Sequence, residues 1–510
     1  METPVGGRIP PAHRKSAVVA LQRFRWLGIT ATAIACALAA TSSALAESAA
    51  PADSPVSSVV LLRDPVPVAG EPAEAHLRAD IDANKSYWIP AAEILGFDLL
   101  LNGFNRTFID DAYKSNASSI RRNLSSSWNV DNDPFTTNQL GHPYQGSMYH
   151  GFARSAGLNY WESLGYTVVG SAAWEIVGET TPPSRNDQIT TGFGGSFLGE
   201  SLFRMANLVL EQSDLPKFWR ELAAAAISPP TGFNRAAFGD RFDTVFPSND
   251  PVYYGRLSLG VATSTRNRFG PAADFKHTEA LADFTLDHGL PGEPGYQYKR
   301  PFDHFVFKAT VSSANGLENM MTRGLLVGTD YGIGDSYRGV WGLYGSYDYM
   351  EPRTFRVSST AVSVGTTGQW WLSQAVALQG SALVGTGYAT VGSVNARVDN
   401  DLHYGVAPQA LLALRLVFGD RVSLDTVTRG YFVSGVGGVN TAGRDNIYRA
   451  DMALTMRVKG QHAISIRYQF SRRDVASPVF GDRSQSGGTV GVFYTCLGSD
   501  DFGVVDWRNR

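Results

Sequence analysis

From residue 251 to the C-terminus, apolar and polar residues alternate with period two in one short segment after another. In residues 463–471, Ile464, Ile466, Tyr468 and Phe470 fall on one face, and Ser465, Arg467, Gln469 and Ser471 on the other. Met452, Leu454, Met456 and Val458 alternate with Thr455, Arg457 and Lys459, and Val490, Val492 and Tyr494 with Thr489 and Gly491. Successive side chains of a strand point to opposite faces, so a long series of such strands needs one apolar and one polar environment throughout. A membrane all-β barrel supplies both, with lipid outside and a wet or filled lumen inside. The pattern predicts about 12 antiparallel strands. They begin near Tyr253, Glu279, Asp303, Arg323, Arg338, Arg356, Val376, His403, Val422, Tyr448, His462 and Gly488. Asp425, Arg429, Arg457, Lys459 and Arg467 are expected to face inward, solvated or paired with a helical insert.

Ahead of the barrel the period changes to that of helices. Residues 138–240 read as a small α-helical domain of about three helices. Pro143 suits a first turn and Gly157 a stop; a second helix runs to Gly178; Ser184, with Asp187 three residues on, opens a third. Gly192, Gly195 and Gly199 on the third predict a close approach by a neighbouring backbone. Short loops make the helices run up, down and up. His142, Glu175, Glu179, Asn186 and Asp187 then converge at one level, and Arg154, Glu162, Glu200 and Arg204 form a structural polar layer at the other. A barrel of about 12 strands is narrow, so the helices are expected to plug or cap its lumen, or to sit beneath it in the periplasm. Residues 76–137 form a mixed segment, with an amphipathic helix predicted over residues 86–104.

Composition adds an address. Arg8, Arg14, Lys15, Arg23 and Arg25 precede an apolar run over residues 26–40, and Ala44-Leu45-Ala46 offers a cleavage site, so residues 1–46 read as a signal peptide. Residues 47–75, rich in Ala, Pro and Ser, read as a disordered linker. Cys36 falls in the leader, leaving Cys496 alone in the mature chain, which excludes an internal disulfide. A net charge of −3 carries no footprint for nucleic acid. Outer-membrane lipid and the outer-membrane assembly machinery are the expected partners. The chain ends in Asp506-Trp507-Arg508-Asn509-Arg510 and not in a terminal aromatic.

A longer motif string lies in the helical part. Trp128-Asn129-Val130-Asp131-Asn132-Asp133, Asn138, His142-Pro143-Tyr144, Gly146 and Tyr149 resemble the bacterial family called domain of unknown function (DUF) 3943. Ala153-Arg154-Ser155, Trp174-Glu175, Gly178-Glu179, Pro183-Ser184, Asn186-Asp187 and Gly199-Glu200 extend the resemblance across residues 100–240. It implies an exported envelope protein of a Gram-negative bacterium and carries over no catalytic residues.

Two functions follow as expectations. The first is an outer-membrane barrel with a structural or transport-related role and a helical plug. The second is an outer-membrane enzyme, a lipid or envelope hydrolase with possible metal assistance, in which His142, Glu175, Glu179 and Asp187 are the candidate catalytic residues. Ser147 and Ser171 are candidate nucleophiles outside any Gly-x-Ser-x-Gly elbow. The residues name no cofactor. Plainer roles compete: His142 and Asp187 suit a helix start, and Glu200 and Arg204 an i,i+4 pair.

Overall fold

The computed structural model describes residues 84–131, 133–248, 251–269, 277–352, 355–393, 402–435, 443–476 and 481–508. The signal peptide and the linker expected from the sequence lie outside them.

Twelve antiparallel strands close into a barrel. They are β1 (Tyr253–Phe269), β2 (Thr278–His288), β3 (Phe305–Ser312), β4 (Gly316–Ile333), β5 (Tyr337–Met350), β6 (Phe355–Trp371), β7 (Val376–Ser393), β8 (His403–Phe418), β9 (Val422–Gly435), β10 (Arg444–Lys459), β11 (His462–Ala476) and β12 (Arg483–Leu497). Each pairs with its sequence neighbours, and β12 pairs back onto β1, so no edge is left open.

Which face is inward follows from bonds that cross the barrel. Arg415 on β8 reaches Asp287 on β2 at 2.8 Å, and Arg467 on β11 reaches Asp283 on β2 at 2.6 Å. Arg256 on β1 meets Asp425 on β9 at 3.0 Å, and Arg429 on β9 meets Asp348 on β5 at 3.1 Å. No pair joins neighbouring strands, so the pairs traverse the lumen. Asp425, Arg429 and Arg467 therefore face inward as the alternation predicts, but their partners are other strand residues and not a helical insert. Arg457 sits at the rim, bonded to Asp420 and Asp500. Lys459, past a register shift beside the Gly460 turn, is exposed and does not face the lumen.

Residues after β12 return into the barrel. Gln369 donates to the Val505 carbonyl at 2.6 Å and accepts from its N–H at 2.9 Å; Gln379 donates to the Gly503 carbonyl at 2.6 Å. Phe502 is buried with Tyr254, Leu290, Val417, Ala463 and Leu497. Trp507 donates to the Asp335 carbonyl at 2.8 Å, and the Arg508 guanidinium lies over the Trp371 ring. Residues 498–508 thus span the mouth at the end with the tight turns at Gly334, Gly419 and Gly460, each with φ between +52° and +56°.

The helices precede the strands: α1 (Trp88–Phe108), α2 (Ala117–Ser125), α3 (His142–Ser155), α4 (Tyr160–Ala173), α5 (Arg185–Ile189), α6 (Gly195–Glu211), α7 (Lys217–Ile227) and α8 (Pro229–Phe238). The domain is larger than the three helices expected, because the mixed segment and residues 217–238 are helical as well. The three expected axes are nonetheless there, as α3, α4 and the run from α5 to α6. Their glycines do bring backbones together: a Cβ on Gly146 would lie 2.0 Å from the Thr191 carbonyl oxygen, and one on Gly195 2.6 Å from the Gly146 Cα. Among the described residues no helix is long and apolar enough to cross a membrane.

The expected plug is corrected by the register. Thr322, Tyr347, Thr360 and Tyr388 form one hydrogen-bonded row across β4 to β7, alternating with the inward Arg323, Asp348 and Ser359, so they point outward. This outward row is what the helices touch. Ser201 bonds the Thr322 hydroxyl, Tyr347 donates to the Gln139 carbonyl, and Asn138 donates to the Tyr404 hydroxyl at 3.4 Å. Phe135 packs on Tyr349 at 5.5 Å between ring centroids. Phe197, Leu198, Leu202 and Met205 of α6 join one apolar cluster with the outward Phe284, Leu286, Phe305, Phe307 and Met320. The helical domain is docked on the outside of the wall, and the lumen is filled by the strands' own charges and the returning tail. Elsewhere the outward face stays bare and apolar, with Leu259, Val261, Leu454, Ile464, Ile466 and Val492 exposed.

Candidate functional site

Three helix ends meet where the sequence places its first polar level. Each is wound more loosely than an α-helix: π-helical turns occupy Thr137–Gly141 before α3, Trp174–Gly178 after α4, and Thr190–Gly194 between α5 and α6. Single π turns concentrate at functional sites because they shift a side chain off the regular helical face. Here they bracket His142, Glu175 and Asp187, while Glu179 follows in extended backbone.

One ring nitrogen of His142 and one carboxylate oxygen each of Glu175 and Glu179 lie within 4.8 Å of one another, and all three residues are buried. His142 Nε2 is 3.9 Å from Asp187 Oδ2. Glu175 Oε2 accepts from the Ser184 N–H at 2.8 Å. Glu179 accepts from the Trp174 indole at 3.0 Å and from the Thr181 hydroxyl at 3.0 Å. Asn186 bonds both Asp187 and Asp131. The bonds fix these side chains but do not use all their capacity: His142 Nδ1 and Glu175 Oε1 are buried without a hydrogen-bond partner.

Electrostatics follow from this crowding. Burial, then the charge of Glu179, pushes the Glu175 carboxyl well above the ordinary range. Burial, then Asp131 and Glu175, does the same to Asp187. Burial pulls the His142 imidazole down, against the opposing pull of Glu179 and Asp131.

The second level is built the opposite way. Glu200 accepts from Arg154 at 2.7 Å, Arg204 at 2.9 Å and His150 at 3.0 Å, and Arg204 continues to Asp303 at 3.1 Å. Burial alone would raise the Glu200 carboxyl, but Arg154, His150 and Arg204 outweigh it and hold it well below the usual range. Glu162 is not in this layer. It caps the N–H of Asn159 and pairs with Lys85 at 2.8 Å near the surface. Sequence reasoning missed His150 and Asp303. His150 lies four residues before Arg154 on one face of α3, a signal that spacing alone could have given.

Ser147 donates to the Tyr144 carbonyl at 2.6 Å, and the Ser171 hydroxyl is buried without a partner. Neither is bonded to His142 or to a carboxylate, so the geometry assembles no serine nucleophile among the described residues.

This helical segment also places the chain among known proteins. Residues 127–230 match the family described as Domain of unknown function (DUF3943). Comparison with curated proteins finds no significant match. Among solved structures, the outer membrane channel DcaP of Acinetobacter baumannii is similar at 9% identity over 49% of this chain and 97% of that one, with a TM-score of 0.23. An outer membrane channel of Pseudomonas putida F1 gives 12% identity, 50% and 99% coverage and a TM-score of 0.28. The translocator domain of autotransporter NalP from Neisseria meningitidis gives 11%, 47% and 88%, and 0.23.

Proposed function

We propose that the protein is an integral outer-membrane barrel of a Gram-negative envelope that acts as a closed scaffold. Its wall carries the DUF3943 helices; its lumen is not an open pore. What carries the reading is the set of ion pairs that cross the lumen between opposite strands, together with the tail bonded to Gln369 and Gln379. A permanently wet channel has no need of arginines committed on both sides, and removing one partner would leave an uncompensated buried charge. The tight turns share an end with the residues that enter β1 and leave β12, as in barrels whose short turns face the periplasm.

The helices expose apolar residues as the barrel does. Trp88, Leu95, Leu99, Leu100 and Phe104 of α1 and Phe218, Trp219 and Leu222 of α7 are all exposed. The reading assigns that surface to outer-membrane lipid. Insertion by the assembly machinery and export by the signal peptide belong to the same proposal. A transport role requires the tail to leave the mouth.

Planar-bilayer recording of the purified mature chain tests the proposal. The expected result is a barrel that shows heat-modifiable migration yet conducts no steady current. A stable, open conductance in the intact chain overturns the closed-scaffold reading.

A further inference from the structure

Asp283, Asp287, Asp348 and Asp425 in the lumen each have an arginine beside them, and Glu200 has two. Glu175, Glu179 and Asp187 depart from this pattern. Among the described residues no lysine or arginine forms an ion pair with any of them, although all three are buried. Carboxylates out of reach of water and without a basic partner must hold either protons or a cation.

Two observations favour the cation. His142 is only 6% exposed, and its Nδ1 has no hydrogen-bond partner; Glu175 is 1% exposed, and its Oε1 has none either. A buried imidazole that only needed a proton acceptor has Asp187 at 3.9 Å, beyond hydrogen-bond reach. The second observation is convergence: donor atoms from the start of α3, from within the π turn after α4 and from the residue that follows it come within 4.8 Å.

We infer that His142, Glu175 and Glu179 bind one divalent transition-metal cation, with Asp187 as the fourth donor. One imidazole with several carboxylates suits zinc, manganese or ferrous iron, whereas calcium and magnesium take oxygen alone. Bond lengths of about 2.1 Å would draw the three side chains together from their present spacing. The outer contacts needed to orient such ligands exist: Ser184 N–H on Glu175, Trp174 and Thr181 on Glu179, Asn186 on Asp187. The ion would lock together the ends of three helices that their π turns leave loosely wound.

The test uses the untagged, full-length mature chain, purified in detergent and loaded with Zn2+ or Co2+. Elemental analysis is expected to give one equivalent of zinc per chain, and Co2+ to give visible d–d bands. His142→Ala and Glu175→Gln weaken binding by at least about tenfold, with heat-modifiable migration intact. His462→Ala, on the exposed end of β11, leaves binding unchanged. If either variant misfolds, the Co2+ form of the wild-type chain decides instead, through the paramagnetically shifted ring protons of a single bound histidine. A wild-type chain that takes up only a fraction of an equivalent overturns the inference. So does full uptake by folded His142→Ala, or a Co2+ form with no shifted imidazole.

Discussion

Two groups of buried charge lie within the one helical domain and have opposite construction. Glu200 is saturated by Arg154, Arg204 and His150, and so cannot change state without cost. Replacing Glu200 by Ala leaves the buried Arg154 without a carboxylate and Arg204 with Asp303 alone, a loss of roughly 3–5 kcal/mol. Thermal melting followed at 222 nm should show the helices losing structure well before the barrel. A shift of less than about 1 kcal/mol would mean that water reaches Arg154 and Arg204 once the carboxylate is gone. At the other group the residues themselves were legible. Pro143, Gly178 and Ser184 set the helix ends, and the ends set the level at which His142, Glu175 and Asp187 meet. The π turns were not legible, since nothing in Thr137–Gly141 or Trp174–Gly178 distinguishes a five-residue turn from a regular one. Glu162 was misplaced for a related reason: a capping box with Asn159 holds it at the helix start and turns it toward Lys85.

The strands show where alternation succeeds as a signal and where it fails. The starts of β1, β7, β8, β9 and β11 coincide with the positions the sequence suggests, because one of their faces is bare and apolar and the other polar. The largest miss is β4, which begins at Gly316 and not near Arg323. Residues 318–326 of β4 are buried throughout, with the lumen on one side and α6 on the other, so the polar–apolar contrast disappears. The tail is a different kind of element, held by Gln369 and Gln379 through its backbone and by Phe502 through its side chain. Deleting residues 499–510 should leave β12 paired with β1 and the barrel heat-modifiable. The truncated chain should nonetheless flicker open in bilayer recordings. Silence as complete as that of the intact chain would show that the cross-lumen arginines alone close the passage.

For the whole molecule the main correction concerns which side of the wall the helices occupy. An outward Phe305 or Phe307 reads the same whether lipid or a helix covers it, so sequence alone could not choose between a plug and a buttress. The distinction matters energetically. Where lipid is the alternative covering, apolar contact gains little, and packing and polar bonds must supply the preference. Ser201 with Thr322, Gln139 with Tyr347 and Arg204 with Asp303 are bonds of that kind. Cysteines at Ser201 and Thr322, in a chain with Cys496 replaced by Ser, should form a disulfide on mild oxidation and tie α6 to β4 from outside. Failure to cross-link in a correctly folded barrel would return the helices to the lumen.

The returning tail also sets a rule for anyone handling this protein. Arg508 holds the end of the tail to the Ser373 and Gln374 carbonyls at the rim, so whatever is fused behind it pulls on the segment that Phe502 and Trp507 anchor. An affinity handle placed there competes with the stopper, whereas one placed ahead of α1 does not.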